Sequence, residues 1–151
     1  MLFFFMDKKN TDKGFSLFEL LVSISIIGIL MAVAMVSYSS AQKKARDNRR
    51  MQDMNNIQKA AEQYYATNNY VYPPSGDIGV VWRTGSNEDI LTKWPTDPKN
   101  VTPYTYYYTV SNNFDIYCVC AQLEETGKGN SSAACTNFGT GTTHYCVKNQ
   151  Q

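Results

Sequence analysis

The alternation of apolar and polar positions changes character twice along the 151-residue chain. From Phe15 to Val36 most residues are apolar, and Glu19 is the one charge. A helix rises about 1.5 Å per residue, so roughly 20 residues cross a hydrocarbon core of about 30 Å. Leu17 to Val36 is long enough, contains no proline and has a single glycine, Gly28. Beyond Ser40 the pattern becomes amphipathic. Ala41, Ala45, Met54, Ile57, Ala61 and Tyr64 recur mostly three or four apart, Met51 extends the stripe, and polar helix formers fill the rest. "ATNNYVYPP" ends the pattern, because Asn68 and Asn69 suit a C-cap and Pro73 and Pro74 cannot continue a helix. The spacing predicts one helix of about 50 residues, about 75 Å long. Its first half suits lipid, and its second half reads as a stalk leading to a head.

In the remainder, "YTYYYTV" and "FDIYCVCAQL" flank a tight turn at "SNN" and read as two strands, with a third at "THYCV". Tyr104, Tyr106 and Tyr108 fall on one face and Thr105, Tyr107 and Thr109 on the other, which points to cross-strand packing rather than ligand binding. "GSNEDILTKW" is expected to form a short helix, capped by Ser86 or Asn87, with Glu88 and Asp89 at its positive end. "WPTDPKNVTPY" reads as an extended loop and "EETGKGNSSAACTNFGTGT" as a surface loop. The fold class is therefore α+β, a long N-terminal helix on a small C-terminal antiparallel sheet.

Composition narrows the setting. Lys and Arg total 14 against 13 Asp and Glu, and so near a balance argues against nucleic acid as the main partner. Cys118, Cys120, Cys135 and Cys146 all lie in the last 34 residues, an even count that fits disulfides outside the cytoplasm. A four-cysteine zinc site fits less well, since C-V-C is tighter than the usual pair spacing. Residues i and i+2 of a strand share a face, so a Cys118–Cys120 bridge would be strained. Of the two pairings left, the expectation is Cys118–Cys146 with Cys120–Cys135.

The apolar segment exceeds the 7–15 residues of a signal-peptide core, and it runs on past the "AVA" at Ala32–Ala34. Lys8, Lys9 and Lys13 precede it, while Lys43, Lys44, Arg46, Arg49 and Arg50 follow. That bias alone would put the C-terminal side in the cytoplasm; the cysteines argue for the opposite orientation. Ser25, Gly28 and Ala32 sit three and four apart, a spacing that lets helices approach closely in lipid. An acid at the centre of a membrane helix costs about 2.5–3.5 kcal/mol, less near the end. The helix dipole favours Glu19 but does not explain its place inside the apolar span. A positive charge on another chain would be a better partner.

"KGFSLFELLV", from Lys13 to Val22, resembles the class III signal of type IV pilins and the related type II secretion pseudopilins, commonly G-F-T-L-I-E-L, with Ser16 for Thr and Phe18 for Ile. The likeness runs without a gap to about Tyr38. It implies a leader of residues 1–14, cut by prepilin peptidase between Gly14 and Phe15, with the new Phe15 amine N-methylated. The true start is Met1 or Met6. Glu19 would face the N-terminal amine of a neighbouring subunit during assembly, and Gly28 matches a family glycine. Many members have proline where this chain has Val36, so their kinked or melted helix is not carried over. The implied organisation is a transmembrane and assembly helix over 15–38, an amphipathic stalk over 39–69, and a disulfide-bearing head of pilin fold over 70–151. The resemblance also implies that the head lies outside the membrane. Loss of the leader removes Lys8, Lys9, Lys13, Asp7 and Asp12 and leaves 11 side chains of each sign.

Other candidate chemistry is sparse. The spacing of Pro95, Asp97, Pro98 and Pro103 resembles the proline-rich loop of the calcium-binding major pseudopilins. Asp97, Asp115 and Glu88 are weak calcium candidates, but no D-x-D-x-D-G spacing is present. The run Lys43–Arg50 either meets lipid head groups or pairs with acids such as Asp47 and Asp53. His144 has no neighbouring acid or nucleophile pattern and reads as structural. The expectation is a non-enzymatic subunit without a required cofactor. It would be a single-pass precursor that passes through an inner-membrane assembly platform into an extracellular or envelope-spanning homo-oligomeric helical filament. A type IV pilus major pilin comes first. The alternatives are a type II secretion pseudopilin, or a minor or competence pilin whose head holds DNA or a surface ligand.

Overall fold

The computed structural model describes residues 14–77, 79–139 and 143–151. Most of the expected leader, including Met1 and Met6, lies outside the described residues. The chain divides into two compact units, Met1–Ser39 and Ser40–Gln151. One helix, α1, spans Leu17–Thr67 and passes position 36 without a break. Among the described residues of the first unit the large apolar side chains are uncovered: Leu17 is 82% exposed and Met35 68%. The helix is long and apolar enough to cross a membrane.

The helix stops through the predicted residues. The Tyr70 amide donates to the Tyr65 carbonyl at 3.1 Å, Asn69 takes φ 56°, and the Tyr65 and Tyr70 rings meet edge to face at 5.6 Å. This is a Schellman closure with its apolar contact. Asn68 Nδ2 adds a bond to the Tyr64 carbonyl at 3.0 Å.

Among the described residues seven short strands follow: β1 Trp82–Arg83, β2 Asp89–Leu91, β3 Tyr107–Val110, β4 Tyr117–Gln122, β5 Ser131–Ala133, β6 Thr136–Phe138 and β7 His144–Lys148. β1 and β2 form a hairpin, and the other five an antiparallel sheet in the order β3-β4-β7-β5-β6. The strands expected at "YTYYYTV", "FDIYCVCAQL" and "THYCV" are β3, β4 and β7. The short helix expected at "GSNEDILTKW" is instead the turn and second strand of the β1–β2 hairpin. Ser86 and Asn87 serve that turn, in which Asn87 takes φ 68°, the Asn87 amide donates to the Thr84 carbonyl and the Thr84 amide to the Glu88 carbonyl. The surface loop holds a second hairpin, β5–β6, stitched by Ser131 Oγ to the carbonyls of Ala133 and Thr136.

The core lies between the second half of α1 and β4, where Met54, Ile57 and Ala61 meet Val119, Ala121, Tyr117, Tyr72, Trp82 and Trp94. Ala41 and Ala45, expected on the apolar stripe, are exposed; Arg50 occupies the buried line instead, with no exposure. Tyr106 and Tyr108 do share a face. Their hydroxyls donate to Asp53 at 2.6 Å and to the Pro73 carbonyl at 2.7 Å. Gly76 permits a close approach, since a Cβ there would lie 2.5 Å from the Trp94 ring.

The disulfides are Cys118–Cys135 and Cys120–Cys146, the other of the two pairings left open by strand geometry. The pairing expected from sequence is corrected by register. β4 and β7 place Cys120 directly opposite Cys146, with Cα atoms 4.1 Å apart, whereas Cys118 faces Lys148. Cys118 then reaches Cys135, in the turn between β5 and β6, with Cα atoms 5.7 Å apart.

Candidate functional site

Two constellations stand out. The first is at the start of α1. Gly14 and Phe15 precede the helix, and Phe15 is 82% exposed. The Glu19 carboxylate accepts the Ser16 amide at 2.8 Å and the Ser16 hydroxyl at 3.0 Å, while Ser16 Oγ accepts the Glu19 amide at 3.2 Å. This reciprocal capping box satisfies donors that a helix start otherwise leaves bare. In a single copy Glu19 is thus already engaged, at Ser16, the residue next to Phe15. Ser16-x-x-Glu19 before an apolar run is the sequence signature of such a cap, and it was not used in the sequence reading. Further along, Ser25 Oγ returns to the Leu21 carbonyl, and no atom lies within 4 Å of a Cβ built on Gly28.

The second constellation is a buried charge network where α1 meets two loops of the head. Arg50, wholly buried, forks onto both oxygens of Asp97 at 2.6 and 2.9 Å, and its third nitrogen reaches Asp47 at 2.7 Å and Glu124 at 3.0 Å. Arg46 grips Glu124 bidentately at 2.6 and 2.9 Å, and Lys99 Nζ adds 2.8 Å. Asp47 also accepts the amides of Glu124 and Glu125, both at 2.9 Å. The Tyr104 ring covers the group, 4.8 Å from Arg50 and 4.5 Å from Lys99. Three cations, Arg46, Arg50 and Lys99, thus face three carboxylates, Asp47, Asp97 and Glu124.

The electrostatics follow. The Arg46 fork holds the Glu124 carboxyl well below the usual carboxylate range, aided by Lys99 and Arg50 and opposed by burial. Burial alone would raise Asp97; the Arg50 fork and the Lys99 amide reverse it and leave its pKa lowered. Burial likewise opposes the Arg50 charge, but its three carboxylate partners outweigh it and raise its pKa. Such a balanced cluster fixes where the loops sit on the helix, because losing one partner strands another buried charge.

Residues 9–35 match the prokaryotic N-terminal methylation motif family. The type II secretion system core protein G of Pseudomonas aeruginosa is 28% identical over 136 residues, covering 83% of this chain and 94% of that protein. The chain thus carries that motif at its N-terminus and is similar to a type II secretion core protein over most of its length. No solved structure matches.

The other expected site residues do not converge. Asp97 gives both oxygens to Arg50, Asp115 accepts Ser111 Oγ in the β3–β4 turn, and Glu88 is exposed in the β1–β2 turn. Among the described residues the one gathering of three potential metal-ligating side chains is Cys118, Cys120 and Cys146, all of them in disulfides. The His144 ring meets the Thr143 hydroxyl at 2.9 Å, and burial lowers its pKa. The basic run divides. Arg46 and Arg50 are committed to the network, the exposed Arg49 approaches Asp53 at 4.0 Å, and Lys43 and Lys44 are exposed. The network's signal in sequence was the position of Arg50, four residues before Met54 on the buried stripe.

Proposed function

We propose that this chain is a filament subunit of a type II secretion pseudopilus. It is inserted as a precursor with its head outside the cytoplasm, cut between Gly14 and Phe15, and polymerised through its N-terminal helix with Glu19 set against a neighbouring amine. The observation that carries the choice is the extent of the likeness to core protein G, which covers 83% of this chain and so extends well beyond the N-terminal motif into the head. The motif alone serves pili and pseudopili equally, and the sequence reading placed a type IV pilus major pilin first. The uncovered apolar half of α1 supports assembly through helix packing, and the role requires no catalytic group. Deletion in the source cell tests the reading. Exported proteins should accumulate behind the outer membrane while surface pili persist. Loss of pili with secretion intact would move the chain to the pilus.

A further inference from the structure

The sulfurs of the two disulfides lie within reach of each other. Cys120 Sγ is 3.4 Å from Cys135 Sγ and 3.6 Å from Cys118 Sγ, although it is bonded to neither. The Cys135 amide also donates to Cys120 Sγ at 3.0 Å, drawing charge from that sulfur and making it a better target for a nucleophile. Access differs between the bridges. Cys118 and Cys135 line an open cavity of about 300 Å³ with Val110, Ile116 and Tyr117, and Cys135 is half-buried. Cys120 and Cys146 are 1% and 2% exposed.

We propose that Cys118–Cys135 is the entry point for a dithiol–disulfide oxidoreductase, and that Cys135 relays the exchange to the buried bridge. A dithiol reduces Cys118–Cys135, giving up two electrons and becoming a disulfide, and leaves thiols on Cys118 and Cys135. The Cys135 thiolate then attacks Cys120 Sγ. The Cys120–Cys146 bond breaks, a Cys120–Cys135 bond forms, and Cys146 departs as a thiolate that takes up a proton. The second step consumes no reductant. It moves the surviving bridge and delivers a thiol to a residue the external partner cannot touch. Cys118, although near Cys120, is not the relay, because the two share one face of β4 two residues apart and a bridge between them is unfavourable. The product holds one bond of the alternative pairing, Cys120–Cys135; completing that pairing takes a disulfide-form oxidoreductase that accepts two electrons from the Cys118 and Cys146 thiols and is itself reduced to a dithiol.

The test treats the full-length protein in detergent with limiting dithiothreitol under nitrogen, quenches with acid, alkylates the free thiols and maps peptides by mass spectrometry over time. Molecules with one bridge left should carry label on Cys118 and Cys135 first and on Cys118 and Cys146 later, with Cys120 protected throughout. Label on Cys120 in that species, or no Cys118/Cys146-labelled form, overturns the relay. So does simultaneous loss of both bridges. A Cys146→Ser variant removes the need for reductant. Its single bridge should partition between Cys118–Cys135 and Cys120–Cys135 at neutral pH, and finding Cys118–Cys135 alone would count against the proposal.

Discussion

Glu19 does two jobs that a substitution can separate. Its oxygens cap the helix start through Ser16, and in the proposed filament its charge meets an amine. Glutamine keeps the capping geometry and drops the charge, whereas alanine loses both. Glu19→Gln should insert and be processed normally yet fail to form filaments, as read by immunoblot of membranes against sheared filaments. Normal filament yield from Glu19→Gln would show that the charge is dispensable. Arg50 allows a sharper test of stability. Arg50→Ala leaves buried carboxylates without their shared partner and should cost about 3–5 kcal/mol in denaturant unfolding. The pH dependence has a definite sign. Asp97 and Glu124 have lowered folded-state pKa values, so their contribution is complete above their unfolded values of about 3.9 and 4.3 and is lost as pH falls through the folded values. Thermal midpoints should therefore drop steeply below about pH 4 in the native protein and more gently in Arg50→Ala. At this scale Glu19 was conspicuous as a charge in an apolar run, whereas Asp97 was read only as a weak calcium candidate and Glu124 not at all, since their Arg50 partner lies 47 and 74 residues away.

At the scale of elements, legibility followed the range of the interactions. The helix and its stop were readable because periodicity and capping act within a turn or two. The 3.1 Å bond from Tyr70 to Tyr65 closes the helix where the asparagines and prolines indicated. Asn69 sits in the left-handed region at φ 56°, where a β-branched side chain is strained by about 1–2 kcal/mol and glycine is not. Asn69→Gly should leave the denaturation midpoint within experimental error or raise it, and Asn69→Val should lower stability by about 1–2 kcal/mol. Equal stability for the two would mean that the turn relaxes. The β1–β2 hairpin was misread because Asn87, Glu88 and Asp89 satisfy helix-start rules as well as turn rules. Tertiary packing of Trp82 against Trp94, with ring centroids 5.5 Å apart, decides between them. Disulfide pairing was unreadable for a related reason. It depends on the register of β4 against β7, which are separated in sequence by the β5–β6 hairpin that alternation did not reveal.

At the scale of the whole molecule, the two units satisfy their apolar surface by different means. Ser40–Gln151 carries its own core, its own charge network and both disulfides, so nothing in that accounting calls on the first 39 residues. The described residues of Met1–Ser39 leave their large apolar side chains uncovered, and in the proposed role lipid or other copies cover them. A fragment beginning at Ser40 and exported to an oxidising compartment should therefore be soluble, monomeric and disulfide-bonded. Its thermal midpoint should match that of the full chain in mild detergent, because the α1 residues that pack on the sheet, Met54, Ile57 and Ala61, are all retained. A one-turn truncation series sets the boundary. Stability should hold while Arg46, Asp47 and Arg50 remain and collapse once Arg50 is lost, since the cut then removes both a wholly buried cation and the helical turn that anchors it. A midpoint that falls as soon as residues before Ser40 are removed would show that the apolar half supports the head, and the division into an assembly segment and a self-sufficient head would be wrong.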